Sequence, residues 1–196
     1  MSGQFPLLVT SHSDKQIHIW NLQLIAQNNF SPVHIVESPL RHTTSTIACF
    51  ASGKGYAVGS IEGRVGVVMV DLNQPEKVDS SDFCFKCHRK EEGGKDPLAY
   101  TVNALAFNKA HDTFATAGSD GYWVTWNKDT RSRYKSSSKS GMPITAACFS
   151  KDAQIFIHAH GEDWTLGAEA AGQRENTVKL YARSCELSDV YKKSRS

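Results

Sequence analysis

Three stretches of this chain repeat one layout, and that repetition constrains the fold more than any other feature of the sequence. Residues 46–72 read "TIACFASGKGYAVGSIEGRVGVVMVDL" and residues 101–129 read "TVNALAFNKAHDTFATAGSDGYWVTWNKD". Residues 143–164 read "PITAACFSKDAQIFIHAHGEDW", and the pattern resumes after an insertion as "NTVKLYAR". A partial copy, "PLLVTSHSDKQIHIWNL", opens at residue 6. Each copy alternates apolar and polar residues over short runs, as in Ile17-His18-Ile19-Trp20, which is a strand period. Turns such as "GSIEG" and "GSDG" carry the glycines that tight hairpins require. The first strand of each copy closes near Phe50, Phe107 or Phe149, and the third near Trp20, Val70, Trp126 or Tyr181.

Units of about four strands at a period near 50 residues predict an all-β chain built as a WD-repeat β-propeller, with a two-sheet sandwich as the rival. "TWNKD" from Thr125 falls where a WD-type dipeptide would stand. The copies amount to about three and a half blades, so the chain reads as the C-terminal part of a larger propeller. Residues 1–183 are assigned to blades and residues 184–196 to a basic, polar, fraying tail. An open arc leaves apolar side chains bare on its two flanks.

Composition excludes several other classes. The 196 residues are 40% hydrophobic with a net charge of +2, which argues against a dedicated nucleic-acid or membrane-surface protein. No run of 18 apolar residues is present to span a bilayer, and the N-terminal segment lacks the pattern of a secretory signal. Five cysteines without that signal read as free thiols in a reducing compartment.

Several strings together resemble the WD-repeat mRNA export factors of the nuclear pore, the Rae/Gle family. They are "ESPLRHTTSTIACF" from Glu37, "GYAVGSIEGRVGVVMVD" from Gly55, "FCFKCHR" from Phe83, "WNKDTRSRYKSS" from Trp126 and "PITAACFSKDAQIF" from Pro143. The Bub-type mitotic checkpoint WD-repeat proteins share "SIEGRV" and "FKCHR", whereas "WNKDTRSRYKSS" and "EDWTLGAE" tilt the match to the export factors. The resemblance implies a seven-bladed, non-enzymatic docking platform without a cofactor. It implies a partner nucleoporin carrying an acidic GLEBS-type segment and residence in the nucleus and at the nuclear pore, with shuttling to the cytoplasm. It also implies contact with RNA, weak or through the nucleoporin, and with mitotic-spindle or ubiquitin-pathway proteins. The rival within the resemblance is a spindle-checkpoint scaffold that binds a kinase segment. The peptide-facing positions it implies are Arg64, Phe85, Lys86, Trp126, Lys128, Arg131 and Arg133, with Asn127 replacing the family's usual Asp.

Those positions have a physical logic of their own. Residues 126–140 hold Lys128, Arg131, Arg133, Lys135 and Lys139 against the single acid Asp129, so the remainder of the chain is net acidic. Guanidinium forks bind carboxylates bidentately, and exposed aromatic rings anchor a ligand at little entropic cost. A peptide whose Glu residues flank a Met or another apolar side chain suits such a surface.

Two other patterns point to metals or haem and have plainer readings. Cys84 to His88 spells C-x-x-C-H, the haem-attachment pattern, but strand alternation throws Cys84 and Cys87 to opposite faces. Cys49 and Cys148 fill the slot of Ala106 and read as small core residues. His158 and His160 share a strand face ahead of Glu162 and Asp163, the one grouping on which metal or enzyme chemistry could rest.

Overall fold

The computed structural model describes residues 6–71, 81–90, 98–111, 113–165, 167 and 178–190. Its strands form four antiparallel sheets in chain order, each of which is a blade. Blade A holds β1 (Leu7–Ser11), β2 (Gln16–Asn21) and β3 (His34–Glu37), with a short helix α1 (Leu22–Ala26) between the last two. Blade B holds β4 (Thr44–Cys49), β5 (Gly55–Ser60), β6 (Arg64–Met69) and β7 (Phe83–Lys86). A two-stranded ribbon follows, β8 (Arg89–Lys90) with β9 (Leu98–Ala99). Blade C holds β10 (Val102–Asn108), β11 (Thr113–Gly118), β12 (Trp123–Asn127) and β13 (Ser132–Ser136). Blade D holds β14 (Ile144–Phe149), β15 (Ile155–His160) and β16 (Lys179–Ser184), and a final helix α2 (Leu187–Val190) closes the described chain. Two four-stranded and two three-stranded sheets make a partial propeller, as the repeats predict.

The blades stack because their middle strands are apolar or small on both faces. Every residue of β5 and β11 is buried. In β11, Phe114 points to a core shared with blade B, among Phe50, Ala57, Val65, Val67 and Leu105. Ala115 and Ala117 point the other way, to a core shared with blade D that holds Trp123, Ile144 and Phe156. In β5, Tyr56 and Val58 face blade A, where they meet Val9, Ile17 and Ile19. Strand alternation thus gives each inner blade two apolar faces, and three interblade cores result. The outer flanks of blades A and D carry exposed Leu8, Ile35, Ile155 and Leu180.

A second device ties the blades. The first strand of blades B, C and D has a register shift at the same place, at Ser45, Asn103 and Thr145. A bulge re-aims a side chain, and here it aims it at the next blade. Ser45 Oγ donates to Val102 O of blade C at 2.6 Å, and Asn103 Nδ2 donates to Ile144 O of blade D at 3.0 Å.

The register corrects two of the repeat equivalences. Trp20 lies opposite Leu8 and Trp126 opposite Phe114, but the corresponding partners of Gly55 and Phe156 are Met69 and Arg183. Val70 and Tyr181 are therefore displaced by one and two residues from the slot the spacing gave them. The large side chains were easier to align than the turns, whose lengths differ between copies.

The expected tail also changes. Past residue 183, β16 continues through Ser184, and α2 packs against β13 and β12 with Asp189 and Val190 buried. Residues 191–196, which hold the basic end of that segment, lie outside the described residues.

Candidate functional site

The seam between blades B and C is built around His88. Its side chain is fully buried; Nδ1 lies 2.8 Å from Asp120 Oδ1, and Nε2 lies 2.8 Å from Thr116 Oγ1. Trp126 Nε1 donates to the same Thr116 oxygen at 3.0 Å. These directions use each proton once. The indole N–H donates to Thr116, the Thr116 hydroxyl to Nε2, and Nδ1–H to the Asp120 carboxylate. The network clips the segment after β7 to the β11–β12 turn and fixes the Trp126 ring. Gly63, at φ +66°, allows the preceding blade to come this close: a Cβ there would lie 2.5 Å from Cys87 O. Blade A carries the same indole-to-threonine bond, Trp20 to Thr10 at 3.0 Å.

Fixed from behind, Trp126 presents its ring to a shallow cleft of about 130 Å³. Phe83, Phe85, Lys86, Phe114, Asn127 and Arg131 complete its lining. Phe85 packs on Trp126 with ring centroids 4.6 Å apart, and Phe83 lies 5.9 Å from Phe85. The Arg131 guanidinium covers the Phe83 ring at 4.8 Å and donates to Ser81 O at 3.3 Å. Lys86 is exposed at the edge. An aromatic floor with two cations on its rim takes an apolar side chain and a neighbouring carboxylate together. Asn127 does the work expected of an Asp, since its Oδ1 accepts from the backbone N–H of Asp129 at 2.9 Å and of Thr130 at 2.7 Å. An amide oxygen caps that turn as a carboxylate would.

Of the eight residues singled out in the sequence, Phe85, Lys86, Trp126, Asn127 and Arg131 come together in this cleft, and three do not. Arg64 pairs with Lys86 by register, yet its guanidinium is held by Glu62 at 3.3 Å. Glu62 also carries Arg89 at 3.4 Å and His42 at 3.6 Å. Lys128 lies beyond the far end of β12, over the Phe50 ring and paired with Asp129 at 2.7 Å, and its side chain is 9% exposed. Arg64 and Lys128 therefore stand at opposite ends of the blades. One continuous rim is replaced by a cleft and a separate cluster around Glu62. Arg133 is exposed and lines a different cavity further along the seam. Lys135 is drawn away by the C-terminal helix, pairing with Asp189 and, at 3.5 Å, with Glu186. The acids of α2 thus offset part of the charge that residues 126–140 show in sequence.

Neither metal pattern assembles a centre. Cys84 is exposed and Cys87 buried, burial pushes the Cys87 thiol far up, and both ring nitrogens of His88 are engaged. His158 Nδ1 faces His160 Nε2 at 2.7 Å, and the pair lies against Tyr181 between blades C and D. Burial first, then the nearby His160 and Arg183, lowers the His158 pKa to about 4. Asp163 instead accepts from Asn103 at 3.3 Å and from the Thr165 hydroxyl at 2.8 Å. Among the described residues no group of three or more His, Cys, Asp or Glu is placed to hold a metal ion, and no helix is long and apolar enough to cross a membrane. His88 was missed in the sequence, where it read as the end of C-x-x-C-H. Its position before a strand and 32 residues ahead of a turn Asp was the available signal.

Comparison with known proteins agrees with this geometry. A family model, the WD domain, G-beta repeat, matches residues 85–127, the stretch from Phe85 through Asn127 that contains the His88 network. A solved structure of Sqt1 from Chaetomium thermophilum shares the fold at a TM-score of 0.59 and 14% identity, covering 79% of this chain and 40% of that one. The chain is thus a WD-repeat protein, an arc of propeller blades. It is 37% identical over 195 residues to "Protein RAE1" of Arabidopsis thaliana, covering 100% of this chain and 52% of that protein. It is 38% identical over 165 residues to the "Poly(A)+ RNA export protein" of Schizosaccharomyces pombe, covering 83% and 44%. It is 35% identical over 196 residues to the "mRNA export factor" of Danio rerio, covering 96% and 51%. These relatives support assignment to the Rae/Gle family of WD-repeat mRNA export factors, and the chain spans about half their length.

Proposed function

We propose that this chain is a non-enzymatic docking module of mRNA export, and that its B–C seam receives an acidic nucleoporin segment of the GLEBS type. The observation that carries the reading is the aromatic cleft of Phe83, Phe85 and Trp126 with Lys86 and Arg131 on its rim. An apolar side chain, Met being well suited because its polarisable sulfur packs on rings, seats in the cleft, while flanking carboxylates meet the two cations. The names of the relatives favour export over the checkpoint reading. Residence at the nuclear envelope, shuttling, and weak or nucleoporin-mediated RNA contact follow from the same reading.

Fluorescence anisotropy with a labelled acidic peptide carrying a central Met tests it. Lys86→Glu/Arg131→Glu weakens binding at least tenfold, because two attractive contacts become repulsive. Arg64→Glu, made in the separate cluster, changes it by less than threefold. Equal affinities for the parent and the Lys86→Glu/Arg131→Glu variant would refute the site.

A further inference from the structure

The seam holds a second cavity of about 500 Å³ beyond the aromatic cleft. Arg89, Lys90, Arg133 and Lys139 line it together with Tyr100, Tyr122 and Ser136. Its one acid, Asp120, is already bound to His88. Four cations and three hydroxyls therefore converge on a concave space with no uncommitted counter-charge among the described lining residues. Arg89 is anchored by its Nη2, which donates to Glu62 O at 2.8 Å. Its Nε is a buried donor without an acceptor among the described residues. A buried unsatisfied donor is costly, and an incoming anion relieves that cost.

We propose that this cavity takes the phosphoryl group of a phosphorylated side chain on the peptide that occupies the seam. This rests on the reading that a peptide lies there. A single carboxylate neutralises one of the four cations. A phosphate monoester brings close to two charges and three acceptor oxygens, which match the mixture of guanidinium, ammonium and hydroxyl donors. The cavity is a closed-ended recess rather than a track with stacked rings exposed along it, so it fits one bulky group on a peptide better than a nucleic-acid backbone.

Register supplies a ruler. On one wall the cleft residue Trp126 and the cavity residue Tyr122 are four residues apart, and on the other Phe85 and Arg89 are four residues apart. An extended peptide rises about 3.3 Å per residue, so the phosphorylated residue sits three to four positions from the apolar anchor.

The test uses the whole chain and three ten-residue acidic peptides with a central Met. One carries Ser four positions from the Met, one phosphoserine at that place, and one phosphoserine directly beside the Met. The four-position phosphopeptide binds the parent protein at least tenfold more tightly than the Ser peptide. Lys90→Glu/Lys139→Glu, at two exposed positions outside the cleft, abolishes that gain and leaves the Ser peptide's affinity unchanged. Equal affinity for the Ser and phosphoserine peptides, the same gain from the adjacent phosphoserine, or a gain that survives the double variant overturns the proposal. So does a single-stranded uridine oligonucleotide that binds more tightly than the phosphopeptide and loses that binding in the double variant. If the Ser peptide itself fails to bind while the phosphopeptide binds, the cavity stands and the cleft reading falls; if neither binds, both fall.

Discussion

Replacing Thr116 by valine separates the bonds of the seam from its shape. The two side chains have nearly the same outline, so packing in the fully buried site is kept while one oxygen is lost. That oxygen accepts from Trp126 Nε1 at 3.0 Å and bonds His88 Nε2 at 2.8 Å. Removing it strands a donor on a half-buried indole and an acceptor on a fully buried imidazole. Each unsatisfied buried group costs about 1–3 kcal/mol, so Thr116→Val should destabilise the chain by about 2–4 kcal/mol. For a chain of this length that lowers Tm by about 5–15 °C. Thr116→Ser keeps the oxygen, loses one methyl and costs about 1 kcal/mol. Thr10→Val in blade A removes the same kind of bond at a partly solvated site, where Thr10 also lies 3.1 Å from His12, and costs about 1 kcal/mol or less. Thermal unfolding followed by tryptophan fluorescence ranks the three. If Thr116→Val and Thr10→Val are equal, or if Thr116→Val is no worse than Thr116→Ser, the buried network does not hold the seam.

Other outcomes follow from the same structure. His158 titrates near pH 4 in the folded chain and near 6.5 when unfolded, so its contribution is complete above pH 6.5 and is lost as pH falls towards 4. The loss is on the order of 2 kcal/mol, and urea midpoints at pH 7 and pH 4.5 should converge in His158→Gln relative to the parent. Asn103→Ala removes the donor to Ile144 O and Ser119 Oγ and should lower stability by about 1–2 kcal/mol, with faster hydrogen exchange in β14 but not in β4. Asp189→Ala unties Arg183 (2.8 Å) and Lys135 from the buried end of α2. Limited proteolysis should then cut after Arg183 or Lys135 several-fold faster, whereas Glu186→Ala, at an exposed acid, changes the rate little.

The repeat made the blades legible because strand alternation and hairpin glycines are local signals. Phe114 and Ala115 declare two buried faces by position alone. The register of the third strands was less legible, since Met69 and Arg183 occupy slots that large rings fill elsewhere. The cleft was read from Phe85, Lys86, Trp126 and Arg131, all within two short strings. The positions that did not join it, Arg64 and Lys128, depend on which end of a strand each occupies, and that is set by pairing across the sheet. His88 was hidden because its partners Thr116 and Asp120 are about 30 residues away. The acids of α2 were hidden because nothing local marks a helix folding back onto blade C.

Hydrogen exchange of the whole chain with and without an acidic, Met-centred peptide tests the central claim most directly. The account predicts new protection confined to residues 83–86 and 126–131, the two walls of the aromatic cleft. Protection centred instead on the turn that carries Glu62 and Arg64, or on the open flanks at Leu8 and Leu180, would contradict it.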